Sequence, residues 1–169
     1  IVELMIVLGI AGILITLAIP SFQELMERRR VVGAAELVYE QLSYAKSEAL
    51  KRPLLPGRQD TIRVKFTTTA FGITDKTDCT PSITDASNDS ACYIDLDGAG
   101  AGTDRLLRRW SLSDFPGVGI SGNTFTGGIT QFEPIRGTAS AGRVTLASTN
   151  YSISVVLSAL GRVRMCSST

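Results

Sequence analysis

Histidine is absent from the 169-residue chain, which removes the commonest general base, the commonest metal ligand and every histidine-held haem. Also missing are a Cys-x-x-Cys pair, a glycine-rich phosphate loop and any serine or threonine with a base beside it in a recognisable motif. The chain therefore reads as a non-enzyme for which no cofactor and no metal are expected. Neither sign of charge is in excess: Lys+Arg 17 against Asp+Glu 16 leaves a formal net charge of +1, which gives no global reason to expect nucleic acid or an acidic substrate. There is no internal repeat. What is present, 44% hydrophobic and 20% charged residues, is a globular composition, and the length suits one domain plus an appendage.

The apolar residues are unevenly placed. From Ile1 to Ile19 only Glu3 and Thr16 are polar, and such a run makes a helix of roughly 28 Å at ~1.5 Å rise per residue, close to a bilayer core of about 30 Å. A signal-peptide core is shorter and follows a basic stretch, so the run reads as a retained membrane-spanning helix. The nearest basic cluster, Arg28, Arg29 and Arg30, lies on its C-terminal side and would hold that side in the cytoplasm. Cysteine usage pulls the other way. Cys79 and Cys92 stand in a polar loop with a spacing that suits a disulfide, and disulfides persist outside the cytoplasm. Both fit a precursor whose basic leader, ahead of Ile1, has been cut off.

Glu3 is the sharpest single feature. A carboxylate inside an apolar segment costs several kcal/mol unless a positive group meets it, and a helix N-terminus offsets part of that. Further along, Pro20 has no amide hydrogen and clashes with the preceding turn, so a kink or local melting is expected there, with Gly9 and Gly12 lowering helix stability upstream.

The run Ile1-Val2-Glu3-Leu4-Met5-Ile6-Val7-Leu8-Gly9-Ile10, continuing to Ala18-Ile19-Pro20-Ser21-Phe22, closely resembles the N-terminus of processed type IV pilins and type II secretion pseudopilins. In that family a prepilin peptidase removes a basic leader ahead of a methylated phenylalanine, and the subunit waits in the inner membrane as a single-pass protein. It then joins homologous pilin subunits in a cell-surface pilus or a periplasmic pseudopilus. The resemblance implies that Glu3 neutralises the N-terminal amine of a neighbouring subunit during assembly. Physical reasoning runs the same way, because an apolar helix leaves lipid only for another apolar environment, which a bundle of identical helices supplies. A bitopic receptor with a periplasmic binding domain would need the anchor but not Glu3.

Beyond Pro20 the helix turns amphipathic. Val31, Ala34, Ala35, Val38, Leu42, Ala45 and Ala49 form the i, i+3, i+4, i+7 stripe, with Glu36, Glu40, Lys46 and Glu48 on the polar face, so this half should lie on a sheet. Pro53, Pro56 and Gly57 end it. The expected organisation is residues 1–22 as a transmembrane and filament-core helix, 23–52 as an amphipathic helix packing on the head, and 53–169 as a globular β-rich head. The fold class is α+β, pilin-like, with an antiparallel sheet. The tract from Val31 to Leu37 and on to Arg52 is similar to the GspH/FimT branch, which implies a minor pilin or pseudopilin.

Within the head, Ile62–Thr68, Arg105–Leu112, Gly128–Phe132, Gly142–Ser148, Tyr151–Ser158 and Arg162–Cys166 are strand candidates. Thr149-Asn150 reads as a two-residue hairpin turn, and Ala159-Leu160-Gly161 as a three-residue one with glycine at the position needing positive φ. The stretch from Thr74 to Asp104 reads as a loop whose aspartates are solvated, and Asp95-Leu96-Asp97-Gly98-Ala99-Gly100 within it only loosely echoes a calcium loop. Cys166 is left over, either a buried free thiol or a competitor for Cys79 or Cys92. In Gly161-Arg162-Val163-Arg164 the two arginines should project from one face, where they could clamp phosphates. This tail resembles the DNA-contacting motif of FimT-type minor pilins that serve DNA uptake, which makes DNA an alternative partner. Two solvated arginines on an outer strand are the plainer reading. Arg108 and Arg109 should point to opposite faces and form no clamp.

Overall fold

The amphipathic stripe has to be covered, and in the computed structural model of this chain two antiparallel sheets cover it. The description extends over residues 2–52, 61–96 and 104–167, with the side chains of Leu8 and of 13–21 outside it. α1 is a single helix of 50 residues, Val2–Lys51, helical also at Pro20. Glu3 lies in its first turn and Lys51 in its last, each the sign that the helix macrodipole favours. Among the described residues no helix is long and apolar enough to cross a membrane; the apolar run includes Leu8 and 13–21, whose side chains are outside that set.

The strands are β1 (Ile62–Phe66), β2 (Ala70–Thr74), β3 (Tyr93–Asp95), β4 (Arg105–Leu107), β5 (Arg109–Ser111), β6 (Gly119–Asn123), β7 (Ile129–Phe132), β8 (Gly142–Ala147), β9 (Ser152–Leu157) and β10 (Val163–Ser167). One sheet has the order β5-β2-β1-β7, the second β10-β9-β8-β6, and β3 and β4 form a small ribbon. All the ladders are antiparallel. The sheets join where Ile120 N donates to Thr68 O at 2.9 Å.

α1 packs on β1 and β7 of the first sheet and on β8, β9 and β10 of the second. All seven stripe residues are buried, Leu42 at 1% exposure and the other six at 0%. Small alanines on this stripe let the helix backbone sit close to Ile62, Val64, Phe132, Val144, Leu146 and Val155, which share its core. Burial of this kind is worth roughly 25 cal/mol per Å² of apolar area.

The expected turns are present. Ser148 N donates to Tyr151 O at 2.8 Å, closing the hairpin over Thr149-Asn150. Around Ala159-Leu160-Gly161, Gly161 N donates to Ser158 O at 2.8 Å with Gly161 at φ 68°. A Cβ there would also run into Gly137 O, so the position needs glycine twice over.

Other expectations need correction. Instead of one sheet on the helix there are two and a ribbon. Arg105–Leu112 is two strands in different sheets, because the backbone of Arg108 is engaged on both sides: its N–H donates to Cys92 O at 2.9 Å and its carbonyl accepts from Ile73 N at 2.8 Å. Leu112 then opens a short 3-10 turn. The stretch from Thr74 to Asp104 contains β3, and two of its aspartates are buried, not solvated: Asp75 at 9% and Asp95 at 8% exposure. β2 and β6 carry no strand signal in the sequence, and both form long-range pairings.

Candidate functional site

Three surfaces hold the residues that the sequence singles out. The first is the bare half of α1. Val2, Leu4, Met5, Ile6, Val7 and Ile10 are 55–72% exposed and Phe22 is 63% exposed, so this part of the helix offers apolar surface that the head leaves uncovered. Glu3 is also exposed.

The bare half joins the head at a polar collar. Glu27 accepts from Asn150 N on Oε1 and from Asn150 Nδ2 on Oε2, both at 3.0 Å, and the Tyr151 hydroxyl donates to Glu24 Oε1 at 3.1 Å. Hydrogen bonds from Ser148 first and Asn150 next hold the Glu27 carboxyl below the ordinary carboxylate range. The bond to Glu24 pushes the Tyr151 hydroxyl above its ordinary value. The two glutamates, one turn apart, thus grip the β8–β9 hairpin turn.

The second is the loop closed by the crosslink. Cys79 and Cys92 are disulfide-bonded, with Cα atoms 5.0 Å apart. Cys92 lies against bare backbone: a Cβ at Gly72 would come within 2.5 Å of Cys92 Cβ and Sγ. Next to it is an ionic cluster that sequence reasoning missed. Arg52, at the end of α1, donates to Asp75 Oδ2 at 3.1 Å and to Asp95 O at 3.2 Å, and Asp95 N donates to the same Asp75 oxygen at 2.9 Å. Glu48 adds a carboxylate oxygen at 3.7 Å from Arg52. The cluster ties the helix end to β2 and β3. Lys76 Nζ and the Arg105 guanidinium both lie over the Tyr93 ring, at 4.4 and 4.5 Å from its centroid.

Asp97 to Gly100, most of the calcium-like stretch, lie outside the described residues. Among the described residues no group of three His, Cys, Asp or Glu side chains gathers to hold a metal ion.

The third surface is the outer face of the second sheet. Arg164 pairs with Val156, and Val156 with Arg143, so Arg143, Val156 and Arg164 form a row across three strands. Cross-strand partners share a face. Arg162 stands opposite Ser158, whose N–H donates to Arg162 O at 3.0 Å, and so lies on the same face as Arg164. Both are exposed, as is Arg143. The register therefore places Arg162 and Arg164 together and adds Arg143, a neighbour that only the pairing of β8 with β9 reveals. Cys166 is a free and exposed thiol, not a buried one, because its position opposite Ser154 turns it away from the helix. Arg108 and Arg109 go separate ways: the Arg108 guanidinium lies 4.7 Å from the Tyr44 ring centroid, whereas Arg109 Nε donates to Pro81 O.

No family model, no curated protein and no solved structure matches this chain.

Proposed function

We propose that this protein is a structural subunit of a type IV pilus or type II secretion pseudopilus, most closely of the minor, GspH/FimT-like kind. The observation that carries the reading is the division of α1. One face of its second half, the stripe from Val31 to Ala49, is buried by the head, while the described side chains of its first half leave large apolar residues open to the surroundings, an arrangement that suits packing against copies of itself once lipid is left behind. The N-terminal resemblance supplies the register. In this reading Glu3 pairs with a neighbouring subunit's terminal amine, since a subunit docked one turn out leaves the carboxylate unpaired. Pro20 softens the rod. The subunit resides in the inner membrane as a single-pass protein before assembly, its precursor is cut by a prepilin peptidase, and its partners afterwards are homologous subunits. Glu3→Ala is expected to leave the protein stable in the membrane fraction and to abolish its recovery in sheared filaments; recovery at the unaltered level overturns the pairing role.

A second reading, capture of DNA for uptake, draws on the Arg143, Val156, Arg164 row with Arg162 beside it. Those guanidinium groups stand on a face whose outward positions on β8, β9 and β10 include no carboxylate, which favours phosphate contacts. Changing Arg162 and Arg164 together to Gln is expected to lower DNA affinity and to flatten its dependence on salt. An unchanged affinity removes this reading and leaves the structural one intact.

A further inference from the structure

A bare sheet edge is a template for another chain, and folded proteins cover, bulge or charge their edges. The two four-stranded sheets end in β5, β7, β6 and β10. β7 is covered by the segment that follows it, with Ser140 N donating to Gln131 O at 3.1 Å and Phe132 bridged to Ala139. β6 is interrupted by a register shift between Ile120 and Gly122, and Ile120 N is engaged by Thr68. β5 is closed in by the Cys92 segment, bonded to the adjoining Arg108, and by the loop at Pro81.

β10 has no such protection among the described residues. The bond from Ser158 N to Arg162 O sets the parity of its ladder, so the backbones of Arg164 and Cys166 face β9 through the pairs with Val156 and Ser154. The N–H and C=O groups of Val163, Met165 and Ser167 consequently point to the open side. No proline and no bulge interrupts the strand.

The two flanks of this edge differ in chemistry. On the outer side stand Arg162, Arg164 and, beyond Val156, Arg143. On the helix side an open groove of about 510 Å³ runs past Val31, Val32, Ile153 and Ser167, with Glu24 and Arg28 at its lining as well, and on the same face of β10 Met165 is 44% exposed. An added strand alternates its side chains between these flanks.

We propose that β10 is a strand-addition site for an extended segment of a partner protein. That segment would carry acidic residues at alternate positions, facing Arg162 and Arg164, and apolar residues between them, facing the groove. Its backbone hydrogen-bonds to Val163, Met165 and Ser167 give affinity, and the charge alternation gives choice of partner. A second copy of β10 is the poorer occupant, since a two-fold pairing collects the arginines of both copies on one face with no carboxylate among them.

The test uses the full chain in detergent micelles and, as probe, a synthetic peptide of about nine residues alternating glutamate with valine. Met165→Pro removes one outward N–H without touching the ladder to β9, a substitution that edge strands tolerate. It is expected to weaken binding about tenfold, and N-methylation of alternate peptide residues is expected to do the same on the unaltered protein, which keeps the test decisive if the proline variant misfolds. Arg162→Gln with Arg164→Gln is expected to weaken binding by a similar factor and to reduce its salt dependence. Binding that ignores both backbone changes is charge adsorption and overturns the proposal, as does no binding at about 1 mM peptide. Self-association of the protein that Met165→Pro abolishes would assign the edge to a second copy and overturn it equally.

Discussion

Leu4 and Leu42 belong to the same helix, yet Leu4 is 67% exposed and Leu42 is 1% exposed. The contrast extends along both halves. Up to Phe22 the sequence is apolar but for Glu3, Thr16 and Ser21, as expected of a helix that is surrounded, and among the described side chains Val2, Leu4, Met5, Ile6, Val7, Ile10 and Phe22 stay exposed. From Val31 onward the apolar residues narrow to one stripe and the head fills it. Uniform apolarity thus marks a surface meant for other molecules, whereas a stripe marks one already satisfied within the fold.

The sharpest way to break this comparison is to strike the junction where the buried half ends. Asp75→Asn or Arg52→Met, each removing one partner of the buried pair, is expected to destabilise the head by about 3–5 kcal/mol, because the charge left behind is buried and loses its closest partner, Arg52 keeping Glu48 at 3.7 Å and Asp75 keeping the Asp95 N–H. Chemical denaturation reads the loss, and a cost under about 1 kcal/mol would reassign the pair to the surface class.

Truncation within the two halves comes next. Leu42→Ala is expected to cost about 2–5 kcal/mol of stability, whereas Leu4→Ala is expected to leave the denaturation midpoint in place and lower only the amount recovered in filaments. Equal effects on denaturation would erase the distinction between the halves.

The smallest effect is expected at the collar. The folded-state pKa of Glu27 is depressed, so its grip on Asn150 is complete above the ordinary carboxylate pKa and is lost as pH falls through the lower folded value. The protection of Asn150 N–H against hydrogen exchange, taken relative to the intrinsic rate at each pH, should fall on acidification, and Glu27→Gln should remove that pH response. Protection that stays constant with pH would show that the hairpin turn is held by the sheet alone.

Much of the helix and its seat was legible in the residues, because periodicity and punctuation are local. The stripe from Val31 to Ala49, the Thr149-Asn150 turn, the need for glycine at 161 and the Cys79–Cys92 pairing all rest on near neighbours or short spacings. The parts that were not legible depend on distant partners. β2, Ala-Phe-Gly-Ile-Thr, is buried along its whole length and so shows no alternation to detect. β6 is rich in glycine. The division at Arg108 is created by Cys92 and Ile73, neither of which is a sequence neighbour. At the candidate site, Arg162 and Arg164 were visible as a pair, but Arg143 joins them only through strand register. The Arg52 cluster gave no signal because its acids lie in a stretch that looks like an exposed acidic loop.

Lys46 Nζ, on the seated half of α1, donates to Gly161 O at 3.1 Å, in the turn from which β10 departs. That turn also rests on Gly137 so closely that no side chain fits between them. The last strand is therefore mounted on the rod like a bracket on a shaft. In a fibre built on α1, whatever occupies that bracket would be held at one fixed bearing about the fibre axis, repeating with every subunit of this kind.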